Sequence, residues 1–113
     1  MNLRIDIDVP DQLTVHLQEG SDATSVTVAP RQAGASTLTR ALADAAASGY
    51  GECFWPSATG QYWWMFRRDH ETVEVAVMWS RGGASGWQHV FRATDALAWV
   101  RSRLDEELAR VSA

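Results

Sequence analysis

The chain has 113 residues, a formal net charge of -4 and one cysteine, and these properties already exclude several kinds of protein. The length fits one folding unit, so we predict a single α+β domain over residues 1–113. An acidic total argues against general nucleic-acid binding, which needs a basic face, and one cysteine cannot form an intrachain disulfide. All ten basic residues are arginines, which excludes lysine chemistry such as Schiff-base formation.

The N-terminal sequence leads to an expectation about location. Residues 1–10 alternate apolar and charged side chains, unlike the continuous apolar segment of a signal peptide. No later apolar run is long enough to span a bilayer. We therefore expect a cytoplasmic protein that does not bind membranes.

The first thirty residues predict three strands with one buried face each, because apolar and polar side chains alternate. A turn at Pro10 and Asp11 would join the first two strands into a hairpin. A polar loop over residues 19–23 would precede the third. The predicted strands cover residues 3–9, 13–17 and 25–29.

An alanine-rich helix is predicted next, since its apolar side chains follow helical spacing. Ser36 or Thr37 is expected to cap its start, with residues 31–35 forming a connector. The helix should end near Ser48, because Gly49 can adopt the left-handed conformation that terminates helices. Alanine buries little area, so this helix must gain its stability by packing closely on a sheet.

Residues 61–80 predict the central β-hairpin, since the alternation of large apolar side chains persists across a short turn. Asp69 and His70 are expected to form that turn, which would set Phe66 opposite Val73. A slip of one residue would send every side chain to the other face, so the pattern determines which side chains share a face. The face predicted to be buried carries Tyr62, Trp64, Phe66, Val73, Val75, Val77 and Trp79.

The segments on either side of the hairpin are less regular. Residues 50–60 mix Gly, Pro and Ser with aromatic residues and predict a short strand or an ordered loop. Residues 81–86 form a glycine-rich connection. Residues 87–93 then predict the last strand, with His89 and Phe91 on the same face.

The last element is predicted to be a helix capped by Thr94 or Asp95. Short loops favour antiparallel neighbours, and two amphipathic helices can cover one face of a sheet. The predicted fold is therefore an α+β two-layer sandwich: a mainly antiparallel sheet of about five to seven strands with two helices on one face. The apolar stripe of the last helix carries Leu97, Val100, Leu104, Leu108 and Val111.

A binding surface is predicted on the second face of the hairpin, which the helices would leave open to solvent. Contiguous exposed apolar area marks an interface or a ligand groove, and interfaces are enriched in Trp, Met and Arg. Alternatively, residues 53–55 cover this face. Trp99 lies on the polar side of the last helix, either as a second anchor or packed over Arg103. The predicted binding residues are Trp63, Met65, Arg67, Met78 and Trp99.

The same segments also contain residues that can be considered for catalysis, metal binding or sugar binding. Cys53 and His89 could act as nucleophile and base in a pocket near residues 53–60, although a cysteine among aromatic residues is commonly a small buried hydrophobe. No Cys or His pair has metal-ligand spacing, so we predict no metal site. We also assign no catalytic residue and expect no cofactor. A sugar could stack on the rings of Trp55, Trp63 and Trp87.

The predicted function follows from the binding surface. We expect a non-catalytic, bacterial-type protein-interaction module with an unknown protein partner, either a homodimer or an inhibitor or immunity-type protein. The acidic charge would suit a basic partner. The alternative is a small-molecule- or sugar-binding domain, or a Cys/His enzyme.

Overall fold

The computed structural model describes residues 1–83 and 85–112. Ala84, in the predicted glycine-rich connection, lies outside the described residues. No helix in the described ranges has both the length and the apolar character needed to cross a bilayer. In chain order the elements are β1 (Asn2–Asp6), β2 (Leu13–Glu19), β3 (Asp22–Val28), α1 (Arg31–Ser48), β4 (Tyr50–Ser57), β5 (Gly60–Asp69), β6 (Thr72–Arg81), β7 (Gln88–Ala96) and α2 (Leu97–Ser112).

The strands of the described residues form two antiparallel sheets. One has the order β1-β2-β3 and the other the order β4-β5-β6-β7. The predicted α+β class is confirmed, while the strands that we expected in one sheet are divided between two. Within the described ranges each strand pairs only with its neighbours along the chain, and α1 separates the two runs of strands.

One face of the four-stranded sheet, which we call the inner face, is covered by the rest of the chain. α1 packs on β4 and β5, α2 packs on β6 and β7, and the three-stranded sheet contacts β4 and β7. All of these elements contribute to one apolar core. The inner face supplies Cys53, Trp55, Trp64, Phe66, Val73, Val75, Val77, Phe91 and Ala93 to it.

The β5–β6 hairpin keeps the predicted faces but has a different register. Its two loop residues are His70 and Glu71, one position later than predicted, and His70 has a φ of 57°. Phe66 consequently lies opposite Val75 instead of Val73. Moving the turn by one position shifts the pairing by two residues, which returns every side chain to its own face.

The start of α1 was predicted too late. The helix begins at Arg31, so residues 31–35 form its first turn and not a connector. The N–H of Arg31 donates to the carbonyl oxygen of Asp11 at 3.1 Å, which ties the helix start to the β1–β2 turn. The predicted end is confirmed, since Gly49 has a φ of 98° and its N–H donates to the Ala45 carbonyl at 2.9 Å.

Several strand boundaries also differ from the predictions. β1 ends at Asp6, and the loop expected over residues 19–23 shrinks to Gly20 and Ser21. Residues 50–57 form a regular strand, in which buried and exposed positions alternate as far as Pro56. At the other end of the sheet, the pairing of β7 with β6 continues past both predicted caps, so α2 begins only at Leu97.

Charged side chains of α2 bind the free edge of β1. Glu107 is buried and accepts the N–H of Ile5 at 2.8 Å, while Arg110 donates to the carbonyl oxygen of Ile5. Arg103 donates Nε–H to the carbonyl oxygen of Leu3 at 2.8 Å. Arg110 also donates to Glu107 at 3.0 and 3.2 Å, so the buried carboxylate is paired. α2 thus satisfies backbone groups that an edge strand leaves without partners.

We expect Glu107→Gln to lower the free energy of unfolding at pH 7 by about 1–3 kcal/mol, since charge-assisted hydrogen bonds to Arg110 and to the Ile5 N–H are weakened. The same hydrogen bonds hold the pKa of Glu107 below its ordinary value of 4.5. A depressed folded-state pKa gives stability that is present above pH 4.5 and lost as the pH falls through the folded value.

Urea denaturation at pH 7 and at acidic pH measures this contribution. The difference between wild type and Glu107→Gln should therefore shrink below pH 4.5. Glu106→Gln is the matched control, because the Glu106 side chain is 68% exposed and should change little at either pH. A loss for Glu107→Gln that stays constant with pH would contradict the assignment.

Gly51 marks the closest approach of α1 to β4. A Cβ atom there would lie 1.8 Å from the backbone oxygen of Ala41. We expect Gly51→Ala to destabilise the fold by about 1–3 kcal/mol or more, because α1 would have to move away from the sheet. Gly82→Ala is the control, since its Cβ would meet Thr59 at an ordinary 3.4 Å. Equal urea midpoints for the two variants would show that the contact is not tight.

Candidate binding surface on the four-stranded sheet

The side of the four-stranded sheet opposite the core, which we call the outer face, presents its side chains in rows across β4, β5, β6 and β7. Directly paired residues of neighbouring strands lie on the same face, so the registers define these rows. One central row consists of Glu52, Met65, Ala76 and Arg92. The other central row consists of Phe54, Trp63, Met78 and His89. Beyond the first central row lies a flanking row of Tyr50, Arg67, Glu74 and Thr94. Beyond the second lies a flanking row of Pro56, Gln61 and Ser80.

A β-bulge in β7 brings His89 to the outer face. The register shifts between Val77 and Met78, whose partners on β7 are Phe91 and His89, so Val90 is an extra residue. Phe91 therefore points into the core while His89 is exposed beside Met78. The prediction that His89 and Phe91 share a face was wrong, because alternation across a bulge no longer reports the side of the sheet.

Three aromatic rings are in contact on the outer face. Trp63 stacks on Phe54 with ring centroids 5.8 Å apart, and its ring lies 5.2 Å from that of Trp87. Phe54 and Trp87 are 46% and 36% exposed, although large apolar side chains favour burial. Together with the partly buried Met65 and Met78, these rings form what we call the aromatic patch: Phe54, Trp63, Met65, Met78 and Trp87.

Charged side chains of both signs border the aromatic patch. Glu52 and Arg92 lie at the two ends of one central row, while Arg67 and Glu74 are neighbours in the flanking row. Among the described residues, neither arginine forms an ion pair with a carboxylate. Burial and the nearby charge of Glu52 raise the pKa of Tyr50, whose hydroxyl donates to Glu52 at 3.3 Å. An apolar centre with a polar border is the usual anatomy of a protein interface.

The structure brings four of the five predicted binding residues together. Trp63, Met65 and Met78 belong to the aromatic patch, and Arg67 lies at its border. Trp99 is 37% exposed but lies on α2, which packs against the inner side of the sheet. It is therefore not part of the same surface. Arg103, the expected contact of Trp99, donates to the backbone of β1.

The residues proposed for Cys/His chemistry lie on opposite faces of the sheet. Cys53 is buried on the inner face, whereas His89 is exposed on the outer face. A hollow of about 850 Å³ surrounds the β4–β5 turn. It is lined by residues 56–61 and 79–83 and contains neither of the two. This arrangement does not favour a nucleophile and base that act on one substrate.

Sequence reasoning missed several members of the outer face. Phe54 and Glu52 were assigned to a doubtful strand, although buried and exposed residues alternate over positions 50–56 and the sequence carried that signal. Trp87 and Arg92 lie on either side of the bulge, so their positions could not be derived by counting. Trp55, proposed with Trp63 and Trp87 for sugar stacking, is fully buried and donates its N–H to Thr37 at 3.2 Å.

A second polar set lies on the solvent side of the three-stranded sheet. His16 shares hydrogen bonds with Ser25 through Nδ1, at 2.7 Å, and with Asp6 through Nε2. The bond to His16 lowers the pKa of Asp6. Serine hydrolases place the serine on Nε2 and the aspartate on Nδ1, the reverse of this order. We therefore interpret the set as a cross-strand polar contact that links β1, β2 and β3.

Comparison with protein-family models, with curated protein sequences and with solved structures finds no match for this chain. Within residues 1–83 and 85–112, no three side chains of His, Cys, Asp or Glu converge as metal ligands do.

The thiol of Cys53 should react very slowly with iodoacetamide at pH 8. Burial raises its pKa to about 12, so only about one thiol in ten thousand is ionised at that pH. We expect alkylation of the folded protein, followed by mass spectrometry, to be at least about a hundredfold slower than in urea. The variant Cys53→Ser with Ser57→Cys, which moves the thiol to an exposed position of β4, should react at nearly the urea rate. Rapid labelling of folded Cys53 would contradict its placement in the core.

Proposed function

We propose that this protein is a non-catalytic protein-interaction module that binds its partner through the outer face of the four-stranded sheet. The observation that supports this proposal is the aromatic patch, in which two tryptophans, a phenylalanine and two methionines share one partly exposed surface. Exposure of a contiguous apolar area to water is unfavourable, and such an area usually marks an interaction site. The cytoplasm is the proposed site of action, and the single free thiol of Cys53 is compatible with a reducing compartment.

The composition of the surface favours a protein partner over a small ligand. Trp, Met and Arg are the residues that interface centres concentrate, and here they lie on a broad sheet face. A sugar or another small molecule is bound most tightly in a concave pocket that encloses it. The aromatic patch is built on a sheet surface, where a second flat surface can cover all of its rings at once.

The net charge supports a second candidate within the same class. A total of -4 would steer the chain towards a basic protein, as expected of a bacterial inhibitor or immunity-type protein. In that case Glu52 and Glu74 at the border would contact the partner's basic residues. The aromatic patch would supply the binding free energy in either case.

Substitution of the central ring tests the proposal. We expect Trp63→Ser to weaken partner binding by about 30-fold, the loss typical of a hot-spot residue, because the ring lies at the centre of the patch. The tagged chain is used in a low-salt pull-down from its native host, with mass spectrometry of the recovered complex. Wild type should recover one stoichiometric protein, either another chain or an untagged copy of itself.

Trp99→Ser is the matched control, because Trp99 is another solvent-accessible tryptophan, 37% exposed, and lies on α2 on the other side of the sheet. It should recover the partner as wild type does, and both variants should still unfold cooperatively in urea, which shows that each is folded. Equal recovery by Trp63→Ser, or its failure to fold, would reject the outer face as the binding surface. Recovery of a small metabolite in place of a protein would support the ligand-binding alternative.

A further inference from the structure

We propose that the partner at the outer face is a second copy of this chain, bound face to face about a twofold axis that runs parallel to the strands between β5 and β6. The inference rests on the proposed function, because it uses the same binding surface. Two sheets that stack face to face lie about 10 Å apart with nearly aligned strands, which is a common way to build a β-sandwich.

The order of the strands determines which residues would meet. Rotation by 180° about this axis exchanges β5 with β6 and β4 with β7. It does not change the position of any row along the strand direction, so each row of one copy lies over the same row of the other. A residue on β5 therefore faces the residue of the second copy that occupies its own row on β6. Every such contact occurs twice because the arrangement is symmetric.

The charges at the border match under this operation. Glu52 on β4 would face Arg92 of the second copy, and Arg67 on β5 would face Glu74 of the second copy. Each border charge thus meets one of opposite sign, which gives four ion pairs in the symmetric dimer. A surface with equal numbers of both signs in this order is complementary to itself, whereas a basic partner would leave Arg67 and Arg92 opposed by like charges.

The apolar side chains match as well. Trp63 would face Met78 of the second copy, while Met65 would lie over Ala76, a small residue that is already buried within one copy. Phe54 would face His89 at the two edges, where a partly polar ring can remain hydrated. No charged side chain is set against the apolar centre.

The other twofold axis in the plane of the sheet produces poor contacts. An axis perpendicular to the strands would exchange the two central rows while keeping each strand over itself. Glu52 would then lie over Phe54, and Arg92 would lie over His89, which leaves both charges without partners in an apolar contact. The sequence of the rows therefore favours the axis parallel to the strands.

The size of the face indicates a weak dimer. Four strands spaced about 4.8 Å apart, with about eight residues each, give a footprint of roughly 500 Å² per copy. Specific interfaces usually bury about 800 Å² per partner, so we expect a dissociation constant in the micromolar range. The dimer should accordingly form at about 100 µM chain and dissociate on dilution to about 0.1 µM.

Charge reversal at Glu52 and Arg92 tests the arrangement by analytical ultracentrifugation at low salt. Glu52→Arg alone sets two arginines against each other, and Arg92→Glu alone sets two glutamates against each other. Each variant should dimerise at least about tenfold more weakly than wild type. Mixing the two variants restores opposite charges at both contacts, so the mixture should form a 1:1 heterodimer with twice the 12.5 kDa mass of one chain.

The mixing experiment separates association from folding. Glu52 and Arg92 belong to opposite edges of one sheet, about 14 Å apart, so a second chain cannot repair a defect inside the first. Arg101→Glu, on the exposed side of α2, is the control and should dimerise as wild type does. Recovery in the mixture supports the proposal.

Two results would overturn it. One is a wild-type chain that remains monomeric at about 100 µM, and the other is a mixture of the variants that remains as monomeric as its components. If Trp63→Ser nevertheless loses a different protein in the pull-down, the outer face binds another partner and only the second-copy inference fails. If Trp63→Ser loses nothing, the proposed function fails with it.

Discussion

The pairing of β5 with β6 is the constraint on which both the core and the candidate surface depend. It sets Trp64 beside Val77 on the inner face and Trp63 beside Met78 on the outer face. A slip of one residue would exchange the two sets and expose the rings that now form the core. Burial of the inner set excludes that slip, since Trp64 and Val77 are fully buried.

The elements that cover the inner face are attached by contacts of different kinds. α1 approaches β4 so closely that Gly51 has no room for a side chain, which is close packing of backbone on backbone. α2 instead uses a buried carboxylate and two arginines to bind the backbone of β1. The first contact gains from dispersion and burial, and the second compensates an edge strand for its missing neighbour. Together they leave the outer face as the uncovered side of the sheet.

The outer face combines features that have separate physical origins. Alternation along each strand places Cys53 inside and Phe54 outside, which also separates the thiol from His89. The bulge in β7 places His89 in the row of Trp63. Trp87, two residues before His89, contacts the ring of Trp63. The border then carries glutamates and arginines in an order that is complementary under one twofold operation. The surface is thus a property of four strands together and not of any one segment.

The sequence by itself determined the features that depend on near neighbours. These are the α+β class, the end of α1 at Gly49 and the division of β5 and β6 into two faces, because helix caps and alternation act within a few residues. Only the tertiary structure decided the start of α1, which is held by the distant Asp11 carbonyl, and the assembly of Phe54, Trp63 and Trp87 into one cluster. It also decided that the strands divide into two sheets and that β7 contains a bulge. These features arise from pairing and packing between segments far apart in the chain. A local sequence pattern does not determine which of the alternative long-range pairings has the lowest free energy.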